Sequence, residues 1–325
     1  MQETKRAKEK RKENPTDTDV QLPPLIILKD CGAQTEQSYP TREKESGLLI
    51  NWLVLYAVFA LILYGLVCMS VAHSDFLQTI LVYRHYPSPL ASPEELQNLI
   101  GFGLLSARNI QHLKPDGGLL RGWHILPMAG DKDNLSRFAN MSLSSTSTVN
   151  TFFDGEIARG GKAIVIYLHG NTADRSLGYR IEMMKQISLT MDAHVVAFDY
   201  AGFGDSEGWP SEESTYADAL SIYTWVKEAI GRGSHILRDN PTCQDYPVFG
   251  CSDSPKPPRI FLYGHSLGSS IAVNLAVELN GIRGSEQHPL RGIVLDAPFT
   301  SFPDAIRSHP NSALFRVFPF VQTYM

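Results

Sequence analysis

The most apolar stretch of the chain lies near its N-terminal end. No Asp, Glu, Lys or Arg occurs between Glu45 and Asp75, and Leu48 to Ala72 are predominantly apolar. At about 1.5 Å rise per residue, a helix of this length crosses a hydrocarbon core of roughly 30 Å. A buried core helix and a signal peptide are the alternatives, but secretory signals are shorter and lie nearer to the N-terminus. The pattern therefore predicts one transmembrane helix at residues 46–73.

The polar stretches on either side of this helix differ in character. Residues 1–45 mix charges of both signs with Pro, Gln and Thr, which is typical of a disordered tail. Residues 74–117 contain short apolar pieces such as Phe76 to Val82, and we interpret them as a juxtamembrane stem. The pattern does not decide whether this stem lies along the bilayer or packs on the domain that follows.

The distribution of basic residues predicts the orientation in the membrane. Arg42 and Lys44 precede the apolar stretch and a basic cluster extends from Lys5 to Lys12, whereas Arg84 alone follows it closely. Lys and Arg concentrate on the cytoplasmic side of membrane spans. We therefore expect a cytosolic N-terminus and a lumenal remainder of the chain.

Two further signals agree with a lumenal domain. Asn134 and Asn140 each begin an Asn-X-Ser tripeptide without Pro, so both are glycosylation candidates if they face a lumen. Cys243 and Cys251 are close enough in the sequence to form a disulfide in an oxidising compartment. Two free thiols are the alternative for this pair.

From about residue 118 the pattern changes to short β-rich runs that alternate with helical periods. This alternation is typical of α/β units on a mostly parallel sheet with helices on both faces. Residues 231–258 lack a regular period and predict a surface insertion within this domain, which we place at residues 118–325. The predicted strands are Trp123–Leu126, Ala163–Leu168, His194–Phe198, Arg259–Tyr263 and Ile293–Leu295, and the predicted helices are Ser176–Met191, Glu213–Ile230 and Gly268–Leu279.

Composition narrows the classes of function. The net charge of -5 and the pI of about 6.1 provide no basic field, so nucleic acid is not expected as a partner. The four cysteines lack paired C-x-x-C spacing, which argues against a structural zinc site. We expect no metal and no cofactor, and no protein partner can be inferred from the sequence.

A G-x-S-x-G motif follows the strand predicted to end at Tyr263. It reads Gly264-His-Ser266-Leu-Gly268 and precedes a helix of small residues. In such a strand-to-helix turn glycine is needed on both flanks, and the serine hydroxyl is presented at the carboxyl edge of the sheet. We therefore predict that Ser266 is a nucleophile. A chance Gly-Ser turn is the alternative.

A second loop begins with His-Gly-Asn171-Thr172, directly after the strand predicted to end at Leu168. In hydrolases with this arrangement, the amide after the nucleophile and one amide of such a loop bind the oxyanion of the tetrahedral intermediate. We expect Leu267 to supply the first amide, and either Asn171 or Thr172 to supply the second.

Other polar residues near these loops are expected to be structural. His169 is interpreted as a loop histidine rather than a base, and His265 should point away from the site. A glycine-rich turn after the strand ending at Phe198 lacks the Lys-Ser/Thr of a phosphate-binding loop. We therefore expect Asp199 and Asp205 in this turn to stabilise it through side-chain to backbone hydrogen bonds.

The segments that carry a family resemblance are Leu168-His-Gly-Asn171, Phe198-Asp-Tyr-Ala-Gly-Phe-Gly-Asp-Ser206, Tyr263-Gly-His-Ser-Leu-Gly268, Leu295-Asp-Ala-Pro-Phe-Thr300, Gly122-Trp-His-Ile-Leu-Pro127 and Ser308-His-Pro310. Together they resemble the α/β-hydrolase superfamily, and more narrowly its membrane-anchored lysophosphatidylserine and monoacylglycerol lipase branch. The resemblance implies a glycosylated enzyme of the endoplasmic reticulum membrane with a lumenal active site. It also implies cleavage of acyl esters of lysophospholipids and monoacylglycerols, with a lipid substrate and the bilayer as the partners.

The resemblance further implies an acid and a base that follow the nucleophile in the sequence. Asp296 occupies a non-catalytic turn in this branch and His309 is expected at a helix end, so neither the acid nor the base of a triad is assigned in this chain. We therefore expect a truncated isoform or an incomplete gene model that lacks the last strands. A catalytically inactive membrane protein that acts as a pseudoenzyme or interaction protein is the alternative, and a thioesterase or peptidase is a weaker one.

Overall fold

The computed structural model describes residues 42–83, 91–128, 145–239, 258–281 and 290–301. The chain divides into two compact units, Met1–Ala60 and Leu61–Met325. The following predicted features lie outside the described residues: Asn134, Asn140, Cys243, Cys251 and His309.

The first helix, α1, runs over Arg42–Ala72. Within it, Leu49–Val71 forms a 23-residue stretch with a mean hydropathy of 2.4, and no part of its most apolar portion is buried. Large side chains such as Trp52 and Tyr56 are fully on the surface, whereas a helix in a soluble core would bury an apolar face. This helix is therefore long enough and apolar enough to cross a membrane, in agreement with the prediction at residues 46–73.

A six-stranded mixed sheet forms the centre of the second unit. Its strands are β1 (Ala107–Leu113), β2 (Leu119–Ile125), β3 (Ala163–Leu168), β4 (Ala193–Phe198), β5 (Arg259–His265) and β6 (Leu290–Asp296). Their order across the sheet is β1-β2-β4-β3-β5-β6. The β1-β2 and β2-β4 pairs are antiparallel, and the β3-β4, β3-β5 and β5-β6 pairs are parallel.

The domain begins earlier in the chain than the predicted residue 118. Strand β1 begins at Ala107, inside the stretch interpreted as stem. It pairs with β2 along its whole length, with Ala107 opposite Ile125 at one end and Leu113 opposite Leu119 at the other. The physical reason is that β1 is an edge strand with alternating exposed positions, so its own residues carry little apolar signal.

Helices cover both faces of the sheet. Two of them come before the first strand in the chain, and the others lie between strands. They are α2 (Asp75–Tyr83), α3 (Pro93–Gln97), α4 (Thr146–Ala158), α5 (Gly178–Thr190), α6 (Glu212–Asp239) and α7 (Leu267–Gly281). A short 3₁₀ turn, Leu99–Phe102, follows α3. Helix α4 has no counterpart among the predicted helices.

Helix α6 corrects the prediction of an irregular insertion over residues 231–258. The helix continues to Asp239, and residues 240–257 lie outside the described part. Packing on α4 accounts for the extension: a Cβ on Gly233 would lie 1.7 Å from the Asp154 carbonyl oxygen, and Arg232 Nε donates to Asp154 Oδ2 over 2.7 Å. The helix is thus continued by tertiary contacts that no local period reveals.

Strand β3 shows how the two faces are filled. Its Ile164 and Ile166 side chains belong to an apolar core shared with α4, α6 and α7. The alternate side chains, Val165 and Tyr167, belong to a core on the opposite face, shared with α3 and α5. This alternation confirms a sheet with helices on both faces, and it places the carboxyl ends of β3, β5 and β6 at one edge.

Candidate active site

Ser266 is the single residue between the end of β5 at His265 and the start of α7 at Leu267. Its φ of 53° lies in the left-handed region, which non-glycine residues rarely adopt. Both flanking glycines are required by close backbone approaches. A Cβ on Gly264 would lie 2.3 Å from the Gly268 carbonyl oxygen, and a Cβ on Gly268 would lie 2.0 Å from the Leu168 carbonyl oxygen. The predicted strand-to-helix turn is therefore present.

The carboxyl end of β6 holds this turn in place. The Ser266 N–H donates to the Asp296 carbonyl over 2.8 Å, and Ser269 Oγ donates to the Gly264 carbonyl over 2.7 Å. The Asp296 carboxylate is itself an acceptor, because Tyr263 Oη donates to its Oδ2 over 2.9 Å. Burial, with this carboxylate as a smaller cause, raises the pKa of Tyr263 to about 12. Asp296 thus anchors the turn through its backbone, and its side chain binds a tyrosine.

The loop after β3 lies directly against the turn. A Cβ on Gly170 would lie 3.2 Å from Ser266 Cβ and 3.0 Å from His265 Nδ1. Glycine at this position therefore lets the loop approach the serine closely. The two loops predicted to form one site are brought together at the carboxyl edge of the sheet.

The two amides predicted as alternatives for the oxyanion differ in their hydrogen bonding. The Thr172 N–H donates to the Tyr83 carbonyl over 2.9 Å, and so it is already used. In the described part of the chain, no residue accepts a hydrogen bond from the Asn171 N–H. The Leu267 N–H belongs to the first turn of α7, where amides lack an intrahelical acceptor. The Leu267 and Asn171 amides therefore remain as the candidate donors to an oxyanion.

The two histidines beside the site make contacts that differ from those of a general base. His169 is buried, and its Nδ1 donates to the Gly170 carbonyl over 2.8 Å. Burial and the nearby Arg180 hold its pKa well below the ordinary value. The His265 ring lies 5.4 Å from the Tyr179 ring, and burial lowers its pKa as well. Among the described residues, no histidine hydrogen-bonds to Ser266 Oγ.

Comparison with known proteins agrees with the fold. A family model described as "Alpha/beta hydrolase family" matches residues 165–324, which include both loops of the site. The chain has the α/β-hydrolase fold. It is 32% identical over 209 residues to a protein of Danio rerio named lysophosphatidylserine lipase ABHD12, with 64% of this chain and 44% of the relative covered.

Two other relatives extend the comparison. The lysophosphatidylserine lipase ABHD12 of Xenopus tropicalis is 29% identical over 271 residues, which cover 82% of this chain and 58% of the relative. Protein ABHD12B of Homo sapiens is 30% identical over 216 residues, which cover 66% of this chain and 48% of the relative. The chain thus spans about half the length of the curated relatives it matches. The crystal structure of an alpha-beta hydrolase from Vibrio vulnificus covers 77% of this chain and 68% of its own, at 18% identity and a TM-score of 0.48.

An ion cluster lies behind the site, and the sequence predicts only part of it. Asp199 Oδ1 accepts from the Arg175 N–H over 2.7 Å, so its side chain bonds the backbone of the loop after β3 rather than that of its own turn. In addition, the buried Arg175 guanidinium pairs with both Asp199 and Asp205. Burial raises the pKa of Asp199 to about 7 although Arg175 opposes the shift. This cluster ties the loop after β3 to the loop after β4.

Neither Arg175 nor Arg180 was predicted to contribute to the site. The available signal was an arginine at a core position of a helix: Arg180 shares the buried face of α5 with Met184 and Ile187. A buried guanidinium needs hydrogen-bond acceptors, and so such a position indicates a polar network inside the fold. Among the described residues, no group of His, Cys, Asp or Glu could hold a metal ion.

Proposed function

We propose that this protein is a membrane-anchored serine hydrolase that cleaves acyl esters of lysophospholipids, such as lysophosphatidylserine, and of monoacylglycerols. The observation that carries the proposal is the strained Ser266 between two obligatory glycines, with the Leu267 and Asn171 amides beside it. The lysophospholipid class is supported by the names of the relatives. The apolar helix α1 supports a substrate that resides in the bilayer.

The proposed reaction is an acyl transfer in two steps. Ser266 Oγ attacks the acyl carbonyl carbon, its proton passes to a general base, and the oxyanion accepts hydrogen bonds from the Leu267 and Asn171 amides. The intermediate then expels the glycerol oxygen, which takes up a proton, and a serine ester of the fatty acid remains. Water hydrolyses this ester and releases the fatty acid. We assign neither the base nor its orienting acid to a described residue.

A proposed location follows from the same resemblance and from the basic residues before α1. The N-terminus would be cytosolic and the catalytic domain would face the lumen of the endoplasmic reticulum, where Asn134 and Asn140 would be glycosylated and Cys243 and Cys251 would be paired. Treatment with a peptide N-glycosidase should increase the gel mobility of the wild type but not that of the Asn134→Gln/Asn140→Gln double variant. Full protease sensitivity of the domain in sealed microsomes would contradict this orientation.

Fluorophosphonate labelling of the full chain in membranes tests the nucleophile. We expect a labelled wild type, an unlabelled Ser266→Ala variant and a labelled Ser270→Ala variant, because Ser270 lies one turn further along α7 and its Oγ donates to the Leu267 carbonyl. Fatty-acid release from lysophosphatidylserine, lysophosphatidylcholine and monoacylglycerol would then rank the acyl donors.

A catalytically inactive membrane protein is the second candidate function. It is favoured by the observation that, within the described ranges, no histidine ring hydrogen-bonds to Ser266 Oγ. The same labelling experiment separates the two candidates. A folded wild type that does not react with the fluorophosphonate would support the inactive protein and reject the hydrolase.

A further inference from the structure

Arg180 of α5 is fully buried beneath the loop that follows β3. Its Nη2 donates to the carbonyls of Gly170, Asn171 and Thr172 over 3.0, 3.1 and 2.8 Å, and its Nη1 donates to the Asp174 carbonyl over 2.8 Å. In the described part of the chain no carboxylate forms an ion pair with this guanidinium. The buried charge is therefore satisfied mainly by backbone carbonyls of a single loop.

These carbonyl contacts determine where the amides of the loop point. A trans peptide is planar, and its C=O and N–H point in opposite directions. Because the Gly170 carbonyl points at Arg180, the N–H of the same peptide, which belongs to Asn171, points away from the guanidinium. The amide proposed for the oxyanion is thus on the side of the peptide opposite Arg180.

The next peptide is held at both ends. Its carbonyl, that of Asn171, accepts from Arg180, and its N–H, that of Thr172, donates to the Tyr83 carbonyl at the end of α2. Thr172 and Ala173 also have positive φ values of 67° and 57°, which few non-glycine residues adopt. A strained backbone conformation of this kind persists where the surrounding structure imposes it. Here the N–H groups of Arg180 contribute to that, because they donate to the carbonyls of the loop.

Without the guanidinium, the Asn171 and Thr172 carbonyls would lose this donor, the Gly170 carbonyl would keep only His169 Nδ1, and the three neighbouring carbonyl dipoles would repel one another. Rotation of the Gly170–Asn171 peptide would relieve that repulsion, but it would turn a carbonyl oxygen, rather than an N–H, towards the developing oxyanion. A preoriented donor acts in the transition state only if it cannot rotate away.

We propose that Arg180 is a positioning residue for the oxyanion hole, which holds the Gly170–Asn171 peptide in the orientation that presents the Asn171 N–H. This inference rests on the proposed function and deepens it, because it assigns the residue that prepares the hole before substrate binds. Among the described residues, Arg180 makes no hydrogen bond to Ser266, and it acts through the peptide.

The first test compares fluorophosphonate labelling rates of the full chain in membranes. Arg180→Met should lower the rate about 10²-fold, the size of effect seen when an oxyanion donor is lost. Arg180→Lys should give an intermediate rate, because an ammonium group donates to some of the carbonyls. Arg108→Met is the matched control: Arg108 is another buried arginine, but it binds Asn150 and Asp154, and its variant should keep the wild-type rate.

Ester kinetics distinguish positioning from a loss of folded protein. The oxyanion is absent from the bound substrate and develops in the transition state that leads to the tetrahedral intermediate, so Arg180→Lys should lower kcat for a monoacylglycerol and leave KM unchanged. A higher KM with an unchanged kcat would overturn the proposal, as would equal labelling rates for Arg180→Met and the wild type.

A second measurement does not depend on activity. Amide hydrogen exchange at Thr172 should be faster in Arg180→Lys and Arg180→Met than in the wild type, and unchanged in Arg108→Met. Unchanged exchange in the Arg180 variants would overturn the positioning role. If the folded wild type is not labelled at all, the proposed function fails, and the exchange result alone decides whether Arg180 orients the loop.

Discussion

The Thr172 amide donates a hydrogen bond to the carbonyl of Tyr83, the last residue of α2. Tyr83 is buried, and its ring meets the Phe203 ring edge-on at a centroid distance of 6.4 Å. The stem, whose placement the sequence left undecided, therefore packs on the α/β domain at this point. It contributes the acceptor that fixes one side of the loop after β3.

The Asn171 side chain makes the second contact with α2 and provides the first prediction. Its Nδ2 donates to the Val82 carbonyl over 3.0 Å, whereas its backbone N–H is the proposed oxyanion donor. Asn171→Ala removes only the side-chain bond, so we expect a loss of about 1 kcal/mol in the free energy of unfolding and a labelling rate that falls less than in Arg180→Met. Asn171→Asp should be worse than Asn171→Ala, because a carboxylate would face a carbonyl oxygen. Urea unfolding and fluorophosphonate kinetics measure the two effects. Equal stabilities and equal labelling rates of Asn171→Ala and Asn171→Asp would contradict a hydrogen bond from the Asn171 side chain to the Val82 carbonyl.

Gly268 provides a prediction about packing in the turn. A Cβ at this position would overlap the Leu168 carbonyl oxygen, which is backbone and cannot swing aside. We expect Gly268→Ala to lower the free energy of unfolding by about 3 kcal/mol or more and to abolish labelling. Gly231→Ala is the matched control, since nothing lies within 4 Å of a Cβ there. In the middle of α6 it should raise the stability by roughly 0.5–1 kcal/mol, and a comparable loss in both variants would reject the argument.

The elements that could be predicted from the sequence are those with a strong local signal. The interior strand β3 is apolar on both faces, and its predicted bounds, Ala163–Leu168, agree with the structure. The turn at Ser266 could be predicted because glycine on both sides of a serine after a strand has a specific steric cause. Helix α5 was predicted at Ser176–Met191 and occupies Gly178–Thr190.

The parts that could not be predicted depend on contacts between distant residues. Strand β1 is recognisable only through its pairing with β2, and the end of α6 depends on Arg232 meeting Asp154. The choice between the Asn171 and Thr172 amides required the position of the Tyr83 carbonyl, which no local pattern contains. Arg180 shares a helix face with Met184 and Ile187, but the loop carbonyls that accept its hydrogen bonds are distant contacts that no local pattern contains.

Backbone strain at Ser266 leads to a third prediction. A φ of 53° costs a non-glycine residue energy that glycine avoids. Relative to Ser266→Ala, the Ser266→Gly variant should therefore be more stable by up to about 1 kcal/mol, although glycine also gains entropy in the unfolded chain. Neither variant should react with a fluorophosphonate. Thermal unfolding of the two purified variants measures the difference, and a clearly less stable glycine variant would show that the turn is relaxed.

A buried histidine pair lies in the core, away from the site. His124 Nε2 lies 3.1 Å from His194 Nδ1, and the His124 ring contacts the Phe153 ring at a centroid distance of 5.1 Å. Burial, followed by the positive charge of Lys162, lowers the pKa of His194 to about 3. Burial and the nearby Arg108 hold the pKa of His124 well below its ordinary value. Both rings are therefore neutral in the folded protein near pH 7, and one donates a hydrogen bond to the other.

This pair predicts the direction of the pH dependence of stability. In the unfolded chain both histidines titrate near pH 6.5, so below that pH the unfolded state binds more protons than the folded state. The free energy of unfolding should fall as the pH drops from about 6.5 towards 3, by up to ~1.4 kcal/mol per pH unit for each histidine. His194→Gln removes one of the two titrations, so its loss of stability between pH 7 and pH 5 should be smaller than that of the wild type. Urea unfolding at both pH values measures this difference, and an equal loss in the two proteins would mean that His194 takes up its proton without unfolding.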